Sequence, residues 1–233
     1  MTSKLAVLHH LERPFTGYAG EALAAADLEL VERDLRHGDP LPSLDEVDGI
    51  LSFGGDQSVR ELDRYPYLVD EVALLREAVE RELPVLGVCL GSQLLAHAMG
   101  GEVTRLPQRV VAWEEVERLP AGEGDPVVGA LPSPFRALHW NEDSFSVPPG
   151  AVELLTRSGP GGEAFRCGTS AWGVQFHCEA DPVALETWYG EVKLAAAGID
   201  EAGARAADER HMPSQRKVAH ALFGGFASVV ARN

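Results

Sequence analysis

No stretch of the chain approaches the roughly 18 consecutive apolar residues that a membrane-spanning helix needs, so no hydrophobic span is expected. The first ten residues, Met1 to His10, contain no long apolar segment leading to a small-residue cleavage site, so nothing there predicts export. Cysteine is scarce: Cys89, Cys167 and Cys178 make an odd count with no Cys-x-x-Cys spacing. That argues against both a disulfide framework and a cysteine-held zinc ion, and it fits a reducing cytoplasm in which every thiol is free. Basic residues are few, 20 Lys and Arg against 36 Asp and Glu, for a formal charge of −16. A nucleic-acid binder would need a basic face, so that class is disfavoured. Internal repeats and low-complexity tracts are also lacking. What remains is 233 residues, 45% of them hydrophobic. This length and composition suit a single α/β domain over residues 1–233 with a substantial core.

Short apolar runs alternate with helical patterns in the first hundred residues. Leu5–His9 reads as a first strand, Gly20–Ala26 as a helix and Leu28–Leu35 as a second strand. Asp48–Asp56 reads as a third strand ending in the pair Gly54-Gly55. Leu68, Val72, Leu75, Val79 and Leu83 then recur at helical spacing, and Pro84 stops that helix before the strand Val85–Val88. This alternation predicts a three-layer α/β fold: a mostly parallel central sheet with flanking helices. Ligands of such sheets gather beyond the carboxyl ends of the strands, which places the Gly54-Gly55 loop and Cys89 along one edge. After Gly100-Gly101 the texture changes to short β-rich segments between Pro and Gly turns, predicting a small antiparallel insertion. From Asp181, a candidate N-cap followed by Pro182, the chain turns helical again. A polar Ala/Asp/Glu-rich stretch (Gly198–His211) precedes a last helix whose Val218, Leu222, Phe226 and Val230 read as a core stripe.

Two stretches carry candidate chemistry. In Gly87-Val88-Cys89-Leu90-Gly91-Ser92-Gln93 an apolar strand breaks sharply into a helix with a thiol at the turn. Oriented N–H groups at a helix N-terminus favour thiolate over thiol, and the flanking glycines suit a crowded elbow. Taken alone, the stretch fits a buried structural cysteine equally well. A nucleophile needs a base and a group to orient it. Phe176-His177-Cys178-Glu179 supplies both: strand alternation would put His177 and Glu179 on one face and turn Cys178 away.

Together these residues resemble the class I (triad-type) glutamine amidotransferases, in particular free-standing members similar to the amidotransferase domain of GMP synthase. The likeness runs through nearly the whole chain in order: glycine pair, cysteine elbow, β-rich insertion, His-x-Glu and C-terminal helices. It implies a flavodoxin-like fold with Cys89 as nucleophile, His177 as base and acid, and Glu179 as its orienter. It further implies backbone N–H groups of Gly55 and Leu90 as the oxyanion hole, with Gly54 and Gln93 on the substrate. The segment Ala137–Phe145 is similar to a His-Trp loop of the family that faces the thiol. This puts His139 and Asp143 on the substrate as well, although a capped turn before the next strand would read the same way. The chain departs from the family at Cys178, where proline is usual, after Gly55, and around Asn141-Glu142.

The resemblance implies hydrolysis of the glutamine side-chain amide through a γ-glutamyl thioester, without metal or cofactor. No Walker-type loop accompanies the motif, so an enzyme using the released ammonia would be a separate synthetase chain. A stand-alone hydrolase of γ-glutamyl peptides or amines would use the same residues, and a non-catalytic binding or regulatory homologue would keep the fold.

Overall fold

A computed structural model describes residues 2–191, 194 and 198–233. The N-terminal part alternates as its patterning predicts: β1 (Ser3–His9), α1 (Gly17–Ala24), β2 (Leu28–Asp34), β3 (Gly49–Ser52), α2 (Pro66–Glu80), β4 (Val85–Val88) and α3 (Leu90–Ala98). There follow β5 (Val103–Arg118), β6 (Phe135–Phe145), β7 (Val152–Arg157), β8 (Ala164–Cys167) and β9 (Ala171–Val174), then α4 (Pro182–Glu191) and α5 (Glu201–Val230).

Among the described residues, β1 to β9 form one sheet in the order β2-β1-β3-β4-β9-β8-β7-β5-β6. The pairings of β1 through β4, and of β4 with β9, are parallel. Those of β5 through β9 among themselves are antiparallel. The sheet is therefore mixed in equal parts. The antiparallel strands of the β-rich region extend the central sheet beyond β9. The physical reason is that β9 returns beside β4, so β8 and the strands after it inherit a free edge and pair onto it.

Adjacent residues of the inner strands bury on opposite faces, as a sheet covered on both sides requires. Leu5, Val7, Leu51 and Leu86 pack with α1 and α5, while Ala6, Leu8, Ile50 and Val85 pack with α2 and α3. The stripe Val218, Leu222, Phe226 and Val230 of α5 lies in the first of these cores.

Several boundaries differ from the sequence pattern. Helix α2 ends at Glu80, and the chain reverses at Glu82 (φ 57°), so Leu83 is buried from a turn and not from the helix. The polar stretch before residue 211 belongs to α5, which starts at Glu201 and carries Pro213 inside it. Its alanines and acidic residues are good helix formers, and they outweigh one lost backbone donor. Asp181 caps α4 as expected, its Oδ1 accepting from the Ala184 N–H at 2.8 Å. Ala137–Phe145 is neither loop nor capped turn. It lies within β6, paired along its length with β5.

Candidate active site

Strands β3 and β4 are direct parallel neighbours, so the loop after Ser52 and the turn after Val88 emerge side by side. Cys89 sits on that turn with φ 50° and ψ −106°, a left-handed backbone that an L-residue enters only under strain. Tertiary contacts hold it there. Its N–H donates to the Val174 carbonyl at 2.9 Å, and its carbonyl accepts from the Ser92 hydroxyl at 2.7 Å and the Gln93 N–H at 3.0 Å. The two glycines of the motif are required by close approach. A Cβ on Gly87 would stand 2.5 Å from the Gly91 carbonyl group, and one on Gly91 would stand 2.1 Å from the Ser52 carbonyl oxygen. The elbow is thus pressed against β3 with no room for a side chain on either flank.

His177 and Glu179 follow β9 but do not lie on it. That strand ends at Val174, and His177 and Glu179 lie in the irregular segment beyond. Strand alternation is therefore not what puts them on one face. The segment is instead pinned by the His177 N–H donating to the Leu138 carbonyl at 2.8 Å, and by the Tyr18 N–H donating to the Glu179 carbonyl at 2.8 Å. Gly17 (φ +48°) makes the second contact possible, since a Cβ there would fall 2.2 Å from the Glu179 oxygen. So held, His177 Nδ1 lies 2.7 Å from Glu179 Oε1, both side chains being buried. Trp188 of α4 packs edge-on against the imidazole, with ring centroids 5.0 Å apart.

His177 Nε2 is buried without a hydrogen-bond partner in the protein. Burial alone would lower the basicity of this ring. Interactions with Cys89 and with the Glu179 carboxylate outweigh it and hold the imidazole well above the ordinary histidine value. Gly54 lies against both Cys89 and His177: a Cβ there would meet His177 Cε1 at 3.0 Å and Cys89 Cβ at 3.4 Å. Cys178 lies in the core and does not line the cavity, and burial with the nearby Glu179 charge pushes its thiol well above the usual range. Burial likewise pushes the Cys167 thiol up to about 11.

Cys89, Gly54, Gly55, Gln93, Asp143, His177 and Glu179 border one cavity of about 440 Å³. Leu90 begins α3, so its N–H has no partner within the helix, and its side chain abuts Gly55. Gln93 Nε2 donates to the Asp143 carbonyl at 3.0 Å. The Asp143 carboxylate accepts from the Ser58 hydroxyl and faces Arg105 at 3.5 Å. Arg105 and Arg109 both clamp Glu142.

His139 is not part of this assembly. It does not border the cavity and is fully buried, with Nε2 3.0 Å from Glu163 Oε1. Glu163 in turn binds Arg157 Nε at 2.8 Å. The segment expected as a loop is a strand, in which His139 is held in a buried ion cluster while Trp140 borders the cavity. Ser58, Arg105 and Trp188 border the cavity although no sequence motif marks them, and Trp140 borders it from the His-Trp segment. Only folding brings them to the thiol. His9 and His10 also take separate partners, His9 stacking on Phe53 and His10 Nε2 meeting Glu71 at 2.8 Å. Among the described residues no group of three or more His, Cys, Asp or Glu side chains is arranged to hold a metal ion. No described helix is long and apolar enough to cross a membrane.

Residues 24–190 match the family model for glutamine amidotransferase class-I. The chain belongs to the class I glutamine amidotransferases. It is 30% identical to a glutamine amidotransferase-like protein of Salmonella typhimurium, over 72% of this chain and 65% of that one. It is 33% identical to one of the subunits of the glutamine-hydrolysing GMP synthase of Methanococcus maripaludis, over 64% of this chain and 71% of the relative. Of two undivided GMP synthases it also matches, it spans 23% and 28%. A crystal structure of a glutamine amidotransferase from Thermotoga maritima superimposes with a TM-score of 0.86 at 25% identity, covering all of both chains. The mixed sheet flanked by helices is thus the class I amidotransferase fold.

Proposed function

We propose that the protein hydrolyses a γ-glutamyl amide bond, glutamine being the simplest such substrate, through a thioester on Cys89. The observation that carries this is the left-handed Cys89 beside an imidazole whose free nitrogen is unpartnered and whose other nitrogen is fixed by Glu179. His177 Nε2 takes the thiol proton, and the sulfur attacks the side-chain carbonyl. The N–H groups of Gly55 and Leu90 stabilise the resulting oxyanion, each such donor being worth on the order of 2.7–4 kcal/mol in the transition state. His177 returns the proton to the departing nitrogen as the C–N bond breaks. Water, deprotonated by the same imidazole, then cleaves the thioester to glutamate and restores the thiol. Gln93, Gly54 and Asp143 border the place where the amino-acid end of the substrate would sit.

With glutamine as substrate the nitrogen leaves as ammonia, to be used by a separate synthetase chain. The likeness to one component of a divided GMP synthase supports a partner of that kind. A second reading keeps the chemistry and makes the protein a stand-alone hydrolase of substituted γ-glutamyl amides. The cavity of about 440 Å³, which reaches well past the thiol, favours it.

The test is to incubate the protein with glutamine and with γ-glutamyl amides while following glutamate and the released ammonia or amine. Hydrolysis that vanishes in Cys89→Ala is expected, along with labelling of Cys89, and of neither Cys167 nor Cys178, by a glutamine-like electrophile. Full activity in Cys89→Ala on every substrate would refute the proposal.

A further inference from the structure

The imidazole marks the side of the cavity from which the leaving group departs, because the acid that protonates a nitrogen must stand beside it. Beyond His177 that side is aromatic. Trp188 packs edge-on against the ring of His177 at 5.0 Å, and Phe15 and Trp140 meet Trp188 in the same manner at 5.6 and 5.4 Å. Trp188 has a task already, since it fixes the imidazole. Phe15 and Trp140 stand one ring farther out, half-buried, and both border the cavity. A second hollow of about 200 Å³ shares Leu11, Pro14, Phe15, Trp188 and Glu191 with the first, so open space continues past Phe15, with charged groups only at its outer edge where Arg13, Asp181 and Glu191 stand. The part of the cavity bordered by Gln93, Ser58 and Asp143 is polar, as the amino-acid end of a substrate requires.

Ammonia has no apolar surface to bury, so a plain glutaminase gains nothing from this wall. An amine with a hydrocarbon body gains the transfer energy of that body, together with edge contacts to the rings. We propose that the preferred substrate is an N-substituted γ-glutamyl amide whose leaving group is a primary amine bearing an aromatic or bulky apolar body. It is hydrolysed with one water to glutamate and the free amine. This rests on the thioester chemistry above and gives its second reading a substrate class.

The experiment compares γ-glutamyl phenethylamide, γ-glutamyl ethylamide and glutamine as substrates of the wild-type protein and of Phe15→Ala. The two substituted amides release alkylamines of similar basicity, so they differ chiefly in the ring. A kcat/KM for the phenethylamide about ten- to a hundredfold above both others is expected, the range that burying one phenyl group supplies. Phe15→Ala should lower the ratio of phenethylamide to ethylamide kcat/KM by about tenfold. Equal or better turnover of glutamine or the ethylamide overturns this inference and leaves the thioester proposal standing, as does a Phe15→Ala variant that slows all three alike. No hydrolysis of any of the three overturns both.

Discussion

Glu179→Gln changes one atom and tests the whole assignment of roles. In the protein the Glu179 carboxylate is buried and 2.7 Å from His177 Nδ1. At an effective dielectric constant of about 20, two unit charges that close attract by at most about 6 kcal/mol, which bounds what the carboxylate contributes to the imidazolium formed during thiol ionisation. A carboxamide keeps the shape and one hydrogen bond but not the charge. It can also donate to Nδ1, which would leave the proton on Nε2 and block the ring as a base toward Cys89. The expected loss in kcat is about 10²- to 10⁴-fold, equivalent to about 3–5 kcal/mol at 1.36 kcal/mol per decade and within that bound. The assay is steady-state glutamate release on the best γ-glutamyl amide, with circular dichroism and thermal unfolding to show that the fold is kept. Glutamate release within tenfold of wild type by a folded Glu179→Gln would refute Glu179 as the orienter of His177. The unpartnered Glu179 Oε2 would then need another explanation.

Removing the Cys89 sulfur should shift the titration of His177. Burial lowers its affinity for a proton while Cys89 and Glu179 raise it, so Cys89→Ala should move the ring's titration to lower pH, read by NMR of the imidazole nitrogens. An unshifted titration would mean that the thiol and imidazole do not interact. Because His177 binds its proton more tightly than an unfolded histidine of about 6.5, its stabilisation is complete below that pH. The stabilisation fades as pH rises through the higher folded value, and chemical denaturation across pH should show the fade diminished in Cys89→Ala. Gly91→Ala should be destabilised by about 1–3 kcal/mol or fail to fold, because its Cβ would fall 2.1 Å from the Ser52 carbonyl oxygen of a neighbouring strand. A midpoint unchanged in urea would contradict the close packing of elbow on β3. Glu163→Ala should cost about 3–5 kcal/mol by leaving Arg157 and His139 buried without their shared carboxylate. A loss below about 1 kcal/mol would show that Glu114, which also faces both, takes over the pairing.

The patterning of the first hundred residues specified α/β layering, and the elbow motif specified where the thiol would stand. Both are local: an apolar run fixes a strand, a periodic run fixes a helix, and Gly-x-Cys-x-Gly between them leaves one geometry open. The assignment of Val218, Leu222, Phe226 and Val230 to the core was equally legible, because four-residue spacing maps directly onto one face of a helix. What the chain could not show locally was pairing. Nothing in Ala137–Phe145 distinguishes a loop from a strand until β5 lies beside it, and that pairing sends His139 to a buried ion cluster and Trp140 to the cavity. The return of β9 next to β4 likewise decides that the β-rich region extends the main sheet.

Cys89, His177 and Glu179 could be named from sequence because each sits in a short motif whose chemistry requires those residue types. How His177 reaches Glu179 was decided only by tertiary contacts: two backbone hydrogen bonds to Leu138 and Tyr18, a glycine that lets α1 close on the Glu179 carbonyl, and the ring of Trp188. The place of the Cys89 thiol is a property of the elbow. The room beside it, aromatic on one side and polar on the other, exists only where α4, β6 and the loop before α1 converge, since side chains far apart in sequence meet only when the chain folds.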